Sequence, residues 1–154
     1  MRPALMFSAL IFSKNLFTKR CNFLLEQTGI LNHKEMKAQE FVGFVSALAK
    51  NNKRPYIFKM LPYIMQSLDS YSLGKLVMIV NCLDSLGIKS DELALKTKDY
   101  LMSNQGVEKL RAVEYSQILS FFSGYPQIED PEFFKKMEKR AQLVSEMCDL
   151  NSFI

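Results

Sequence analysis

Between Phe41 and Leu68 the chain carries Lys50, Lys53, Arg54 and Lys59 and no acid at all. Lys50, Lys53 and Arg54 fall at a helix end and in the turn behind it, with Tyr56 and Phe58 beside them. Cations that displace counterions from phosphates supply most non-specific nucleic-acid affinity, and an aromatic ring can stack on an unpaired base. Lys50, Lys53, Arg54, Lys59 and Tyr56 are therefore the candidate RNA contacts. The competing reading is structural: cations favour a helix C-terminus through the macrodipole, and Tyr56 and Phe58 would then be core. A second basic group, Lys135, Lys136, Lys139 and Arg140, shares its helix with Glu132, Glu138 and Glu146. Glu132 stands four residues before Lys136, a favourable helical pair, so this group reads as a solvated face.

Residues for other chemistry are sparse. His33 is the single histidine, and the three cysteines, Cys21, Cys82 and Cys148, lie about 60 residues apart with no CxxC spacing to suggest zinc. No nucleophile elbow, phosphate-cradling loop or dinucleotide fingerprint occurs. The acid pairs Asp91-Glu92 and Glu129-Asp130 sit where helices should begin, and capping explains both. No catalytic residue, metal, cofactor or small-molecule substrate is expected.

The charge balance narrows the nucleic-acid reading. Twenty Lys and Arg oppose sixteen Asp and Glu, a net of +4. The excess is carried by Arg2, Lys14, Lys19 and Arg20, since no acid precedes Glu26 and the remainder is neutral. A neutral body has no global field to steer phosphates, so any RNA contact must be local. The segment Pro3 to Ser13 is apolar but too short to span a bilayer. With its bases, its lack of acids and the hydroxyls Ser8, Ser13 and Thr18, residues 1–31 read as a targeting-like organellar presequence. The alternative is a docking helix with Leu5, Phe12, Leu16 and Phe23 inward. Dispersed thiols fit a reducing compartment.

A chain of 154 residues, 48% apolar and 23% charged, suits one ordinary domain and excludes wholesale disorder. From Asn32 the apolar periodicity is helical. Phe41, Phe44, Val45 and Leu48 mark one helix, with Asn32 and Glu35 as its expected capping box. Pro55 suits the first turn of a second helix, through about Leu68, in which Pro62 predicts a kink or a late start. A third runs from Leu73 to Leu86 and stops at Gly87-Ile88 in a Schellman turn. Ser90-Asp91-Glu92 caps a fourth, ending before Gly106. A fifth holds Val113 to Phe122 and stops at Gly124, and Asp130-Pro131 opens a sixth with Phe133, Phe134 and Met137.

The helix pairs look related. Phe41, Val42, Phe44, Val45 and Leu48 fall on Leu76, Val77, Ile79, Val80 and Leu83 at an offset of 35. Ile88 to Leu93 falls on Ile128 to Phe133 at 40, and Tyr63-Ile64-Met65 on Tyr100-Leu101-Met102 at 37. Two-helix repeats of this length stack into solenoids. The expected fold is all-α: residues 32–154 form a short, right-handed α-solenoid of about three antiparallel helical hairpins. Met60, Met65, Met78, Met102, Met137 and Met147 are expected mainly in the core. The apolar end Phe153-Ile154, like Ala4 to Phe17, asks for cover from a neighbouring chain.

The run Ser72-Leu73-Gly74-Lys75-Leu76-Val77, continued by Leu83-Asp84-Ser85-Leu86-Gly87-Ile88-Lys89-Ser90-Asp91-Glu92-Leu93, resembles the heptatricopeptide repeats found beside RAP domains in organellar RNA-metabolism proteins. The FAST-kinase-like mitochondrial proteins are distant relatives of that group. The resemblance implies mitochondrial residence and a role in RNA–protein assemblies. These residues include no RAP domain, so no catalytic residue carries over. The expectation is a non-catalytic accessory subunit of the mitochondrial ribosome, in the matrix, touching rRNA locally and neighbouring proteins, without a transmembrane segment. The alternative is a protein–protein adaptor or accessory subunit of a mitochondrial respiratory or ATP-synthase complex, without RNA contact.

Overall fold

The computed structural model describes residues 19–103 and 105–152, with side chains from 24 to 103 and 105 to 148. The expectations for Met1 to Thr18, for the Phe23 side chain and for Phe153-Ile154 lie outside these. Among the described residues there are eight α-helices and no strand. They are α1 (Lys19–Asn32), α2 (Ala38–Lys50), α3 (Arg54–Ser67), α4 (Leu73–Ser85), α5 (Asp91–Ser103), α6 (Gly106–Lys109), α7 (Ala112–Ser123) and α8 (Pro131–Ser152). No helix among them is long and apolar enough to cross a membrane.

Local hydrogen bonding explains most of the boundaries. At the end of α4 the Ile88 amide donates to the Leu83 carbonyl (3.0 Å) and the Gly87 amide to that of Asp84 (2.9 Å), with Gly87 at φ +68°. This is the expected Schellman turn. The same turn ends α2, where Lys53 donates to Leu48 (2.9 Å) and Asn52 to Ala49 (3.0 Å), with Asn52 at φ +55°. Asparagine tolerates the left-handed region that glycine enters freely. Leu48, Asn52 and Lys53 match Leu83, Gly87 and Ile88 at the offset of 35 seen between the two apolar stripes. The Ser90 hydroxyl accepts from the Leu93 amide (3.3 Å) and the Asp130 carboxylate from that of Phe133 (3.1 Å), as their sequences predict.

Two helix boundaries differ from expectation. Asn32 and Glu35 do not cap α2, because α1 runs on to Asn32, whose side-chain amide donates back to the Thr28 carbonyl (2.9 Å). A 3-10 turn, His33–Glu35, intervenes, and Glu40 accepts from the Lys37 amide (3.1 Å) at the true start. Nor does Pro62 delay α3, which begins at Arg54 with Pro62 inside it. Pro62 is exposed, so water can serve the Phe58 carbonyl that lacks its usual donor. The short helix α6 was not anticipated. It lacks a full amphipathic period to read.

The chain divides into two compact units: the described residues up to Tyr71 with Cys82–Ile88, and Ser72–Asn81 with Lys89 onward. In the first, α3 packs against both α1 and α2. Its core is Phe41, Phe44, Val45, Leu48, Ile57, Met60, Ile64, Leu68, Leu83 and Ile88. Each fully buried side chain of this size is worth about 1.5–3 kcal/mol. Gly29 lets α1 approach closely, since a Cβ there would lie 2.4 Å from Cζ of Phe44.

In the second unit α6 packs against α5 and α8, and α7 against α8. Leu76, Ile79, Val80, Leu93, Leu101, Val107, Leu110, Ile118, Phe121 and Phe133 are buried. Phe121 meets Phe122 and Tyr125 at centroid distances of 5.1 and 5.0 Å, and Phe122 meets Phe133 at 5.0 Å. Met60, Met65 and Met137 are core as expected, whereas Met78 and Met147 are exposed.

Two substitution series follow from this packing. Gly29→Ala forces Phe44 to move; overpacking costs about 1–3 kcal/mol, against roughly 1 kcal/mol of helix propensity gained. Urea denaturation is expected to show a net loss of stability. Glu114 is held below the usual carboxylate range, first by the Arg111 guanidinium (2.7 Å). Asp130 is lowered too, first by the Phe133 amide and then by Lys98 (3.1 Å). Depressed carboxyls stabilise fully above the ordinary value and lose that contribution as pH falls through the folded one. The thermal midpoint should therefore drop below roughly pH 4.5, and Glu114→Gln with Asp130→Asn should lower the neutral plateau and flatten that acid limb.

Candidate nucleic-acid interface

The end of α2 and the first turns of α3 hold the five residues singled out by sequence. Lys50, Arg54 and Lys59 are exposed, and Tyr56 and Lys53 are half-buried. The helical stripe Ile57, Met60 and Ile64 takes the inward side of α3. Residues off that stripe are left at the surface.

Lys53 departs from the expected role. It occupies the position after the left-handed residue of the Schellman turn, which ordinarily tucks an apolar side chain back against the helix. Its counterpart Ile88 does so and is buried. Lys53 instead brings its ammonium within 3.5 Å of Glu26 on α1, a carboxylate whose side chain is only 2% exposed. The other oxygen, Oε2, is buried without a hydrogen-bond partner. Lys53, with its side chain 42% exposed, is thus half-buried with its charge directed at Glu26. Glu26 precedes the acid-free window, and nothing in the spacing announces that pairing.

The remaining cations engage aromatic rings. The Arg54 guanidinium carbon lies 5.3 Å from the centroid of Phe58, and Lys59 Nζ lies 5.8 Å from that of Tyr56. Such pairs hold both partners in place while leaving the charge intact. Arg54 Nη2 also donates to the Gly87 carbonyl at the end of α4 (3.4 Å). Phe58, which the structural reading would make core, is 46% exposed. It falls off the 57, 60, 64 stripe, a signal that was present in the sequence. Arg54 and Phe58, four residues apart, share one flank of α3, Tyr56 and Lys59 share the other, and Lys50 stands exposed at the end of α2.

The second basic group is arranged otherwise. Lys136 pairs with Glu108 (3.6 Å) and not with Glu132, because α6 brings Glu108 alongside. Arg140 donates through Nε to the Leu110 carbonyl (2.9 Å). With Lys139 and Leu143 these residues line a recess of about 250 Å³. Two of its cations are used by the fold.

His33 packs among Tyr63 (5.2 Å) and Phe41 (6.1 Å), and its Nδ1 donates to the Ile30 carbonyl. It is half-buried, and its ring is used in packing. Burial pushes the Cys82 thiol up, against smaller opposing effects of Ser46 and Lys50, so it is a poor nucleophile at neutral pH. No group of three or more His, Cys, Asp or Glu among the described residues is placed to hold a metal ion.

Lys53→Met strips the buried carboxylate of its ion pair and is expected to cost about 1–3 kcal/mol. Adding Glu26→Gln to that variant should recover most of the loss, because an uncharged pair no longer strands a buried charge. Chemical denaturation of the two single variants and the double variant reads this directly; equal stability of Lys53→Met and the parent would show that the pair does not matter.

Comparison of the chain with models of known protein families, with curated proteins and with solved structures yields no match in any of the three, so the surface rests on its own geometry.

Proposed function

We propose that the protein is a non-catalytic accessory subunit of a mitochondrial ribosome or related ribonucleoprotein. It is built as a short α-solenoid of about three helical hairpins and touches rRNA locally. The observation that carries the RNA reading is the exposure of Lys50, Arg54 and Lys59, with Tyr56 half-buried beside Lys59, on a segment from Phe41 to Leu68 whose sequence holds no acid. Lys53 adds little, since Glu26 already meets its charge. With the body of the chain neutral, such a contact is a local anchor within an assembly and not a general nucleic-acid affinity.

The repeat reading is supported by a device that recurs inside each unit. Arg54 donates to the Gly87 carbonyl, and Lys89, 35 residues later, donates to the Gly124 carbonyl (3.3 Å). In both cases a basic residue at or beside one inter-helix turn meets the carbonyl just beyond a later helix, α4 for Arg54 and α7 for Lys89. Turn-to-turn ties at a repeat spacing are what stacked hairpins require. Matrix residence rests on the acid-free, basic character of the N-terminal segment.

The second reading, an adaptor in a respiratory or ATP-synthase assembly without RNA contact, is favoured by exposed apolar side chains. Val113 is 69% exposed, and Met78, Leu119, Phe134 and Met147 are exposed as well. Such residues suit protein neighbours, which the ribonucleoprotein reading also needs. Nuclease separates the two. In native mitochondrial extracts, the ribosomal reading expects RNase to release the protein from its particle, and the triple variant Lys50→Glu, Arg54→Glu, Lys59→Glu to lose rRNA co-sedimentation. Persistence in a particle after RNase, together with unchanged sedimentation of the triple variant, would favour the adaptor.

A further inference from the structure

We infer that Phe58, backed by Arg54, is a stacking platform for an unpaired base, so that this surface takes single-stranded RNA and not a duplex. The inference rests on the RNA reading above and adds a residue and a ligand class to it. A phenylalanine with 46% of its surface in water is only half used by the fold it sits on. The buried stripe of α3 is complete without it, through Ile57, Met60 and Ile64.

Arg54 lies 5.3 Å from the ring centroid and is itself tied to the Gly87 carbonyl, so the pair is held in position before any ligand arrives. With the guanidinium in place, 46% of the residue's surface remains in water. Every base offers a π-face, and stacking on such a ring is favourable without sequence choice. Lys50 and Lys59, both exposed, add positive charge for phosphates on either side, from a segment whose sequence holds no acid.

A duplex does not fit this arrangement. Its bases are stacked on one another and offer no free face, and an A-form major groove is too narrow for side chains to read. Tyr56 is half-buried beneath Lys59 and is the lesser platform.

The test measures fluorescence anisotropy of the full chain with labelled oligouridine of about a dozen nucleotides and with an RNA duplex of similar length. The single strand should bind markedly more tightly. Phe58→Leu keeps an apolar side chain but removes the π-face; it should weaken single-strand binding about tenfold with an unchanged thermal midpoint. Lys50→Gln should instead lower the salt dependence for both probes. If Phe58→Leu binds the single strand as well as the parent, or the duplex binds equally well, the platform is wrong while RNA binding stands. If neither probe binds, the RNA reading itself fails and the platform with it. If Phe58→Leu leaves RNA binding intact but releases the protein from an RNase-resistant particle, the ring docks a protein and the inference is overturned.

Discussion

Carbonyls at helix C-termini, left without intrahelical donors, are the constraint on which this molecule is organised. A helix must satisfy or solvate its last carbonyls, and the chain does so with backbone turns that bend past the left-handed region at Asn52 and Gly87. Those turns leave further carbonyls facing outward. Arg54 reaches one at Gly87 and Lys89 one at Gly124, where a cation also meets the negative end of the helix. Basic residues concentrated near turns are therefore first a structural solution. What remains at the surface after that use is available for a ligand.

This order of demands decides how the α2–α3 junction divides its charge. The Schellman geometry aims residue 53 inward, and Glu26 is waiting there on α1. The cost of a buried carboxylate is reduced by the Lys53 ammonium, 3.5 Å away. Arg54, one residue later, lies outside that geometry and is drawn to Phe58 and Gly87. Neighbouring bases in one short run thus have different work: one is half-buried and paired with a buried carboxylate, one is braced at the surface, and Lys50 and Lys59 stand exposed.

The same competition separates the two basic groups of the chain. Along α8, the short helix α6 supplies a carboxylate and a carbonyl that take Lys136 and Arg140. Around α3 the acid that Lys53 engages is buried. A residue count treats the two groups alike. Their neighbours make them different.

Periodicity and capping residues by themselves determined the helical class, the six main helices and nearly all of their ends, because these depend on residues within a turn of one another. Gly87-Ile88, Ser90 and Asp130-Pro131 behave as their local chemistry dictates. The acid-free basic run was legible for the same reason. The pairing of Lys53 with Glu26, the brief helix α6 and its hold on Lys136, and the exposure of Met78 and Met147 were decided only by tertiary structure. Each depends on which distant segment packs alongside, and a linear pattern records the faces of a helix but not what comes to cover them.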